Sequence, residues 1–166
     1  MNSLTSSPTR PARTFTTGGV TRLLRAVSVL AALAITVWLL VAYPGLPATV
    51  PTHFDATGSA DGWGPRPSVL VLAGIMLVLS VGVAMLSARP RVLNYPVILT
   101  DHNVQAVHRE GERLMVWTLL ALQVLYLALA SAVILGGSTT ALFVIGLAAL
   151  LGAVAVGIVR VLRAAR

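Results

Sequence analysis

Four long apolar stretches, separated by polar segments, account for most of the chain. Uncharged runs cover residues 26–42, 68–88, 114–135 and 139–159. A helix needs about 20 apolar residues to cross the hydrocarbon core of a bilayer, and each run is close to that length. The runs lack the polar stripe of a helix that is half-exposed to water. The pattern therefore predicts an all-α membrane protein with four transmembrane helices.

The composition supports this prediction. Of the 166 residues, 57% are hydrophobic and 10% are charged, whereas about a quarter of the residues in a soluble domain are charged. The chain has no cysteine, which excludes disulfides, thiolate metal sites and cysteine nucleophiles. The four runs contain no ionisable Asp, Glu, Lys, Arg or His. This argues against a pump, an ion-coupled transporter or an intramembrane acid/base enzyme.

The basic residues indicate the orientation in the membrane. All twelve are arginines, and eleven of them fall on one side of a four-pass topology. These eleven are Arg10, Arg13, Arg22, Arg25, Arg89, Arg91, Arg109, Arg113, Arg160, Arg163 and Arg166. The positive-inside rule then predicts a plasma-membrane protein with both termini cytoplasmic and the loop between helices one and two outside. Because the arginines follow the spans, we do not expect nucleic acid as a partner.

The polar segments suggest a division of the chain. Residues 1–21 are rich in Ser, Thr, Pro and Arg, and we interpret them as a disordered cytoplasmic tail. A cleavable signal peptide is the alternative for the first span, but its apolar run is longer than a usual signal core and no small-x-small site follows it. Residues 22–96 form a predicted two-helix membrane domain with an outer loop at 43–66. Residues 97–166 add a cytoplasmic lead-in helix and a second transmembrane hairpin.

The link before the third span changes character along its length. Pro90 and Pro96 exclude regular helix, whereas residues 102–113 are compatible with a helix that leads into the span. On that helix His108 and Glu112 are four residues apart and share a face, a spacing found in metal sites. Zinc takes three or four protein ligands, so two alone are insufficient. We interpret this pair, with its neighbouring arginines, as a solvated or interfacial cluster.

Three of the spans carry small residues at four-residue spacing, a pattern that lets helix backbones approach closely. These residues are Ser80, Ala84 and Ala88 in the second, Ala128, Ala132 and Gly136 at the third, and Ala149, Ala153 and Gly157 in the fourth. In an Ala-rich chain the pattern also arises by chance. Its structural interpretation is a compact bundle or a dimer.

The loop between helices one and two contains the best candidate functional residues. Its prolines stiffen the chain, residues 52–55 are compatible with a short strand, and its glycines favour turns back toward helix two. Phe54 and Trp63 provide an apolar underside for docking on the helix ends. We therefore predict an ordered outer cap. Its candidates for recognition or structure are Pro47, Pro51, His53, Phe54, Asp55, Gly58, Asp61, Gly62 and Trp63.

Two arrangements in this loop suggest metal chemistry, and both are incomplete. Oxygen-bearing side chains recur at every second residue from Asp55 to Asp61, as in a calcium loop, but Ala60 occupies the glycine position and no Glu closes the loop. A small metal or acid/base site at His53, Asp55 and Asp61 lacks a fourth group. We expect no catalytic residue, no metal and no cofactor.

The loop also resembles a known family. The residues that carry the resemblance are Tyr43, Leu46, Pro47, Val50, Pro51, His53, Phe54, Gly58, Asp61, Gly62, Trp63, Gly64 and Arg66, followed by a turn at Asn94, Tyr95 and Pro96. They are similar to the bacterial membrane domain of unknown function 1648 (DUF1648), which also occurs in immunity proteins of the sporulation-delaying-protein toxin system. The resemblance implies membrane location and brings no catalytic residues.

These observations favour a non-enzymatic sensor or immunity-like protein that responds to an extracytoplasmic peptide or envelope component. The alternative is a structural accessory subunit of a transporter or another membrane complex, which would pack through the small residues. A metal-dependent enzyme at His53 and the aspartates is a third hypothesis. The expected partners are the lipid bilayer, the peptide or envelope ligand, and a membrane-protein partner or second copy of the chain.

Overall fold

A computed structural model describes residues 11–136 and 139–166. Within them the chain forms four long helices: α1 (Gly19–Ala42), α2 (Ser68–Ser87), α3 (Val104–Leu135) and α4 (Thr140–Ala164). Each is long and apolar enough to cross a membrane. The four-span, all-α fold class is therefore confirmed, and the protein is a multi-pass membrane protein.

The connection between α1 and α2 is an antiparallel β-hairpin. After a short 3₁₀ turn at Tyr43–Gly45, strand β1 (Thr49–Phe54) pairs with strand β2 (Ala60–Pro65). The first strand is longer than the predicted 52–55, because pairing with β2 extends it toward α1. The predicted ordered loop is therefore a small two-stranded sheet. We call this end of the bundle the hairpin end, and the opposite end, which carries residues 11–18, the α2–α3 link and the end of α4, the arginine end.

The helices begin and end somewhat differently from the apolar runs. α1 begins at Gly19, inside the segment predicted as a disordered tail, and residues 12–17 of that segment hydrogen-bond to α3. Residues 1–10 of the predicted tail lie outside the described residues.

The predicted lead-in and third span form one helix of 32 residues, about 48 Å long at 1.5 Å per residue. The hydrocarbon core is about 30 Å thick, so part of α3 extends beyond it.

α3 is the central helix of the bundle. α1, α2 and α4 all pack on it, and α1 also packs on α2. The main core lies among the first three helices and the hairpin, with Leu39, Val50 and Tyr126 fully buried. The small residues are used within this bundle: Ala128 of α3 is fully buried, and a Cβ on Gly157 of α4 would collide with the side chain of Leu114. α2 and α4 leave most of their apolar surface exposed, as lipid-facing helices do.

Candidate functional site

The turn of the hairpin is organised by one carboxylate. Asp55 Oδ1 accepts hydrogen bonds from the Thr57 amide at 2.8 Å, the Thr57 hydroxyl at 2.6 Å and the Ser59 amide at 3.0 Å. The Thr57 hydroxyl and the Ser59 amide hold the pKa of Asp55 below its ordinary value. Gly58 has φ +82°, a left-handed conformation that favours glycine. The oxygens of this stretch therefore stabilise a turn, and their arrangement is not that of a calcium loop.

The hairpin is docked on the helices behind it. The Phe54 and Phe143 rings stack with centroids 6.4 Å apart, which fixes the hairpin tip to the start of α4. A Cβ on Gly58 would collide with Phe143, so the close approach requires glycine. Leu46 and Val50 are buried in the core beside α1. The predicted ordered cap is therefore present, and Phe54 docks as expected.

Trp63 follows only in part the prediction that it docks on the helix ends, because it lines a groove with the end of α3 but is not buried there. Its exposed fraction is 63%. Side chains alternate between the two faces of a strand, and the more covered positions of β2 are occupied by Gly62 and Gly64, which lie against His53 and Thr52 of β1. Most of the Trp63 side chain is consequently available for contact with another molecule, although it borders the groove between the hairpin and the end of α3.

His53 and Asp61 form an exposed pair on the hairpin. His53 Nδ1 lies 2.5 Å from Asp61 Oδ1, across the two strands. The side chains are 73% and 47% exposed. Within residues 11–136 and 139–166 no three His, Cys, Asp or Glu side chains are placed to hold a metal ion. Asp55 is engaged in its own turn, so the structure does not unite the three residues of the metal hypothesis.

Arg66 connects the end of the hairpin to the end of α1. Its guanidinium donates to the carbonyl oxygens of Pro44 and Leu46, both at 3.3 Å, and lies over the Tyr43 ring at 5.1 Å. Its backbone amide donates to Ala48. A cation is favourable near the carbonyl end of a helix. Among the remaining loop candidates, Pro47 and Pro51 line a groove beneath the hairpin, together with Trp63.

At the arginine end, Glu112 lies in a buried charge network that the sequence did not reveal. Its side chain is 2% exposed, and Oε1 lies 2.6 Å from Arg25 Nη2 and 2.7 Å from the Thr17 hydroxyl. Arg13 Nη1 approaches Oε2 at 3.5 Å. Arg25 also donates to the Ser87 hydroxyl at 2.7 Å. One carboxylate thus connects α3 with α1, and through Arg25 with the end of α2.

The interpretation of His108 and Glu112 as a solvated or interfacial cluster is therefore wrong, because both side chains are buried. Residues 12–17, which we call the N-terminal strap, cover this part of α3. Gln105 holds the strap from both sides: its amide donates to the Ala12 carbonyl and accepts from the Thr14 amide, each at 2.9 Å. The strap is a specific structural element, and its charge and polarity complement α3.

An aromatic residue strengthens the contact between the strap and α3. The Phe15 ring lies between two guanidinium groups, 5.2 Å from Arg13 and 5.0 Å from Arg109. Cation–π contacts of this kind are worth about 0.5–1 kcal/mol at exposed sites. Sequence reasoning missed this role because Phe15 stands in a stretch with no apolar periodicity.

The predicted turn at 94–96 docks on α3 through its tyrosine. The Tyr95 hydroxyl donates to the Pro90 carbonyl at 2.8 Å, and its ring centroid lies 5.7 Å from that of His108. A Cβ on Gly111 would overlap the Tyr95 ring, which explains a glycine within a helix. Asn94 and Pro96 flank the tyrosine and are exposed. That glycine was the available sequence signal for a close contact.

Two hydrogen bonds inside the membrane-spanning part were also missed. The Thr36 and Tyr126 hydroxyls lie 2.9 Å apart and join α1 to α3. The Gln123 amide donates to the Ser80 hydroxyl at 3.0 Å and joins α2 to α3. Hydrogen bonds of this kind contribute to helix association in lipid. Through these two bonds α3 is joined to both α1 and α2.

Comparison with known proteins gives one family match. Residues 29–77 match the family model described as domain of unknown function (DUF1648). The match includes most of α1, the whole hairpin and the first half of α2, so the resemblance of this part of the chain to that domain is confirmed. No curated protein and no solved structure matches the chain significantly. The family description supplies no activity.

Proposed function

We propose that this membrane protein is a non-enzymatic sensor or immunity-like protein of the plasma membrane. Its ligand is an extracytoplasmic peptide or envelope component, and its recognition surface is the hairpin. The observation that carries the proposal is that the hairpin is fixed to the helices on one side and exposes polar and aromatic side chains on the other. Phe54 and Gly58 fix it to α4, whereas His53, Asp61 and Trp63 remain exposed. Exposed aromatic and paired polar side chains on a fixed support suit recognition.

The orientation is part of this proposal. Arg66 is bound to the turn that follows α1 at the hairpin end, and the ten other arginines among the described residues belong to the opposite end. The positive-inside rule then places the hairpin outside the cell and the strap in the cytoplasm. A hairpin on the outer surface meets peptides and envelope components directly.

The structure offers a route for a response between the two ends. The hairpin contacts α4 through Phe143, and Arg66 ties its end to the 3₁₀ turn that follows α1. At the arginine end, Arg25 of α1 meets Glu112 of α3. A ligand that shifts α1 along α3 would lengthen this ion pair and loosen the strap. Because packed interfaces change between discrete arrangements, a small shift at the hairpin is sufficient in principle.

Genetic complementation tests the proposal. In the native host, the gene is deleted and restored as wild type, His53→Ala or Trp63→Ala, with membrane levels matched by immunoblot. We expect deletion to change sensitivity to secreted peptides or to envelope stress, and both variants to restore resistance less well. Ala56→Ser, a change at an exposed position of the turn, is the matched control. Unchanged sensitivity after deletion, together with full activity of both variants, contradicts the proposal.

A second candidate is an accessory subunit of a membrane complex. It is favoured by α4, which packs on α3 and leaves most of its apolar surface exposed. A partner helix would cover that surface in place of lipid. Co-purification in mild detergent followed by mass spectrometry tests this role, and recovery of this chain alone would count against it.

A further inference from the structure

A groove of about 290 Å³ runs between α3 and α4 at the arginine end. Its walls are apolar, and charged side chains stand only at its mouth. The apolar lining consists of Leu114, Trp117, Ala149, Gly152, Ala153, Val156 and Gly157, and the charged mouth consists of Glu110, Arg113 and Arg160. The groove is thus amphipathic along its length.

The spacing of small residues on α4 explains why the groove is open. Cβ atoms on Gly146 and Gly157 would meet Leu125 and Leu114 of α3, so the helices touch at these two levels. Between them, a Cβ on Gly152 would have no heavy atom within 4 Å. Gly152 lines the groove without closing it. A larger side chain can therefore fill the groove there without displacing α3.

The mouth carries a net positive charge. Arg113 Nη1 lies 2.6 Å from Glu110 Oε1, which offsets one arginine. Arg160 adds a second guanidinium and is exposed. Trp117, 47% exposed, lies beside them, where the amphipathic indole suits a membrane interface. An anionic group that is attached to an apolar chain would match both the charge and the lining.

The length of the groove fits one acyl chain. From Arg160 to Ala149, α4 rises by about 16 Å at 1.5 Å per residue. Half of the hydrocarbon core of a bilayer is about 15 Å. We propose that this groove binds an anionic phospholipid, with its phosphate at Arg160 and Arg113 and one acyl chain along Trp117 and Gly152. Basic pockets between transmembrane helices bind anionic headgroups in this way.

The inference requires only that the protein spans a membrane, and it is independent of the proposed sensor function. Native mass spectrometry of the full chain in a zwitterionic detergent tests it. The probes are phosphatidylglycerol, phosphatidylcholine with the same acyl chains, and inorganic phosphate. We expect phosphatidylglycerol to bind at least tenfold more tightly than phosphatidylcholine, and phosphate not to displace it at millimolar concentration.

Three variants separate the groove from general attraction to a basic surface. Gly152→Leu fills the groove without changing charge and should lower phosphatidylglycerol affinity at least tenfold. Arg160→Gln should lower it about tenfold. Arg22→Gln removes an exposed charge at the same end outside the groove and should leave it within twofold.

Thermal unfolding without added lipid shows whether each variant is folded, and Gly152→Val replaces Gly152→Leu if the latter is unstable. Any of three results would overturn the proposal. The first is equal affinity for the two lipids, and the second is wild-type binding by Gly152→Leu and Arg160→Gln. The third is an equal loss of affinity in Arg22→Gln. Displacement of the lipid by inorganic phosphate would also overturn it, since the acyl chain would then contribute nothing.

Discussion

Glu112 of α3 and Arg25 of α1 form an ion pair at 2.6 Å in which the carboxylate side chain is 2% exposed. A buried charge is tolerated when it is paired and hydrogen-bonded, and the Thr17 hydroxyl supplies a further donor at 2.7 Å. Together with the Thr36–Tyr126 hydrogen bond, this pair joins two helices that otherwise contact mainly through apolar and small side chains. It is the first relationship that mutations should test.

Glu112→Ala should destabilise the protein strongly. Removing one partner of a buried ion pair leaves the other uncompensated and typically costs about 3–5 kcal/mol. Thermal unfolding in detergent measures the effect. Glu110→Ala is the comparison variant, because Glu110 is 16% exposed and its partner Arg113 is 46% exposed, so solvent screens this pair more than the buried one and its loss should cost less. Equal shifts for the two variants would contradict the assignment of Glu112 as a buried link.

Gly146→Ala and Gly152→Ala should have opposite effects on the packing of α4. A Cβ on Gly146 would lie 2.9 Å from the backbone nitrogen of Leu125, and overpacking of this kind costs about 1–3 kcal/mol. A Cβ on Gly152 would meet no heavy atom within 4 Å. Gly152→Ala should therefore add no clash, and the higher helix propensity of alanine should stabilise α4 by about 1 kcal/mol at most. Melting temperatures should fall for the first variant and stay level or rise for the second.

The hairpin turn should loosen in acid. The pKa of Asp55 is lowered from its ordinary value of 3.8 by the bonds from Thr57 and Ser59. A carboxyl group with a lowered folded-state pKa contributes stability that is present above the unfolded value and is lost as the pH falls through the folded value. We therefore expect the Ser59 amide to lose hydrogen-exchange protection below about pH 3.8. Asp55→Ala should show the low protection at every pH, and a flat wild-type profile would contradict the prediction.

The Thr36–Tyr126 hydrogen bond should contribute modestly. Interhelical hydrogen bonds within membranes average about 0.6 kcal/mol and reach about 1.7 kcal/mol. A double-mutant cycle of Thr36→Val and Tyr126→Phe should therefore give a coupling energy in this range. A coupling energy near zero would mean that the two hydroxyls, 2.9 Å apart, contribute independently to stability.

The orientation can be tested with single cysteines, because the chain has none of its own. Ala56 in the hairpin turn and Ile98 in the α2–α3 link are both exposed, Ile98 by 85%. In intact cells a membrane-impermeant thiol reagent should label Ala56→Cys. It should label Ile98→Cys only after permeabilisation. The reverse pattern would invert the proposed topology.

The sequence predicted the elements better than the contacts between them. Run length and absence of charge were sufficient for four spans, and the prolines and glycines of the loop were sufficient for an ordered cap. The position of Trp63 depends on strand register, which the bulges between Pro51 and Phe54 obscure. The burial of Glu112 depends on α1 packing against α3, a contact between residues far apart in sequence that no local pattern encodes.

The separation of Arg25 and Glu112 along the chain has a consequence for biogenesis. The two residues are 87 positions apart, and synthesis at about 5–20 residues per second places about 4–17 s between them. During that interval the arginine has no carboxylate from α3 to neutralise it, so it will remain hydrated among lipid headgroups. α1 and α2 are therefore synthesised before this ion pair can form, and the pair is completed only once α3 has been made.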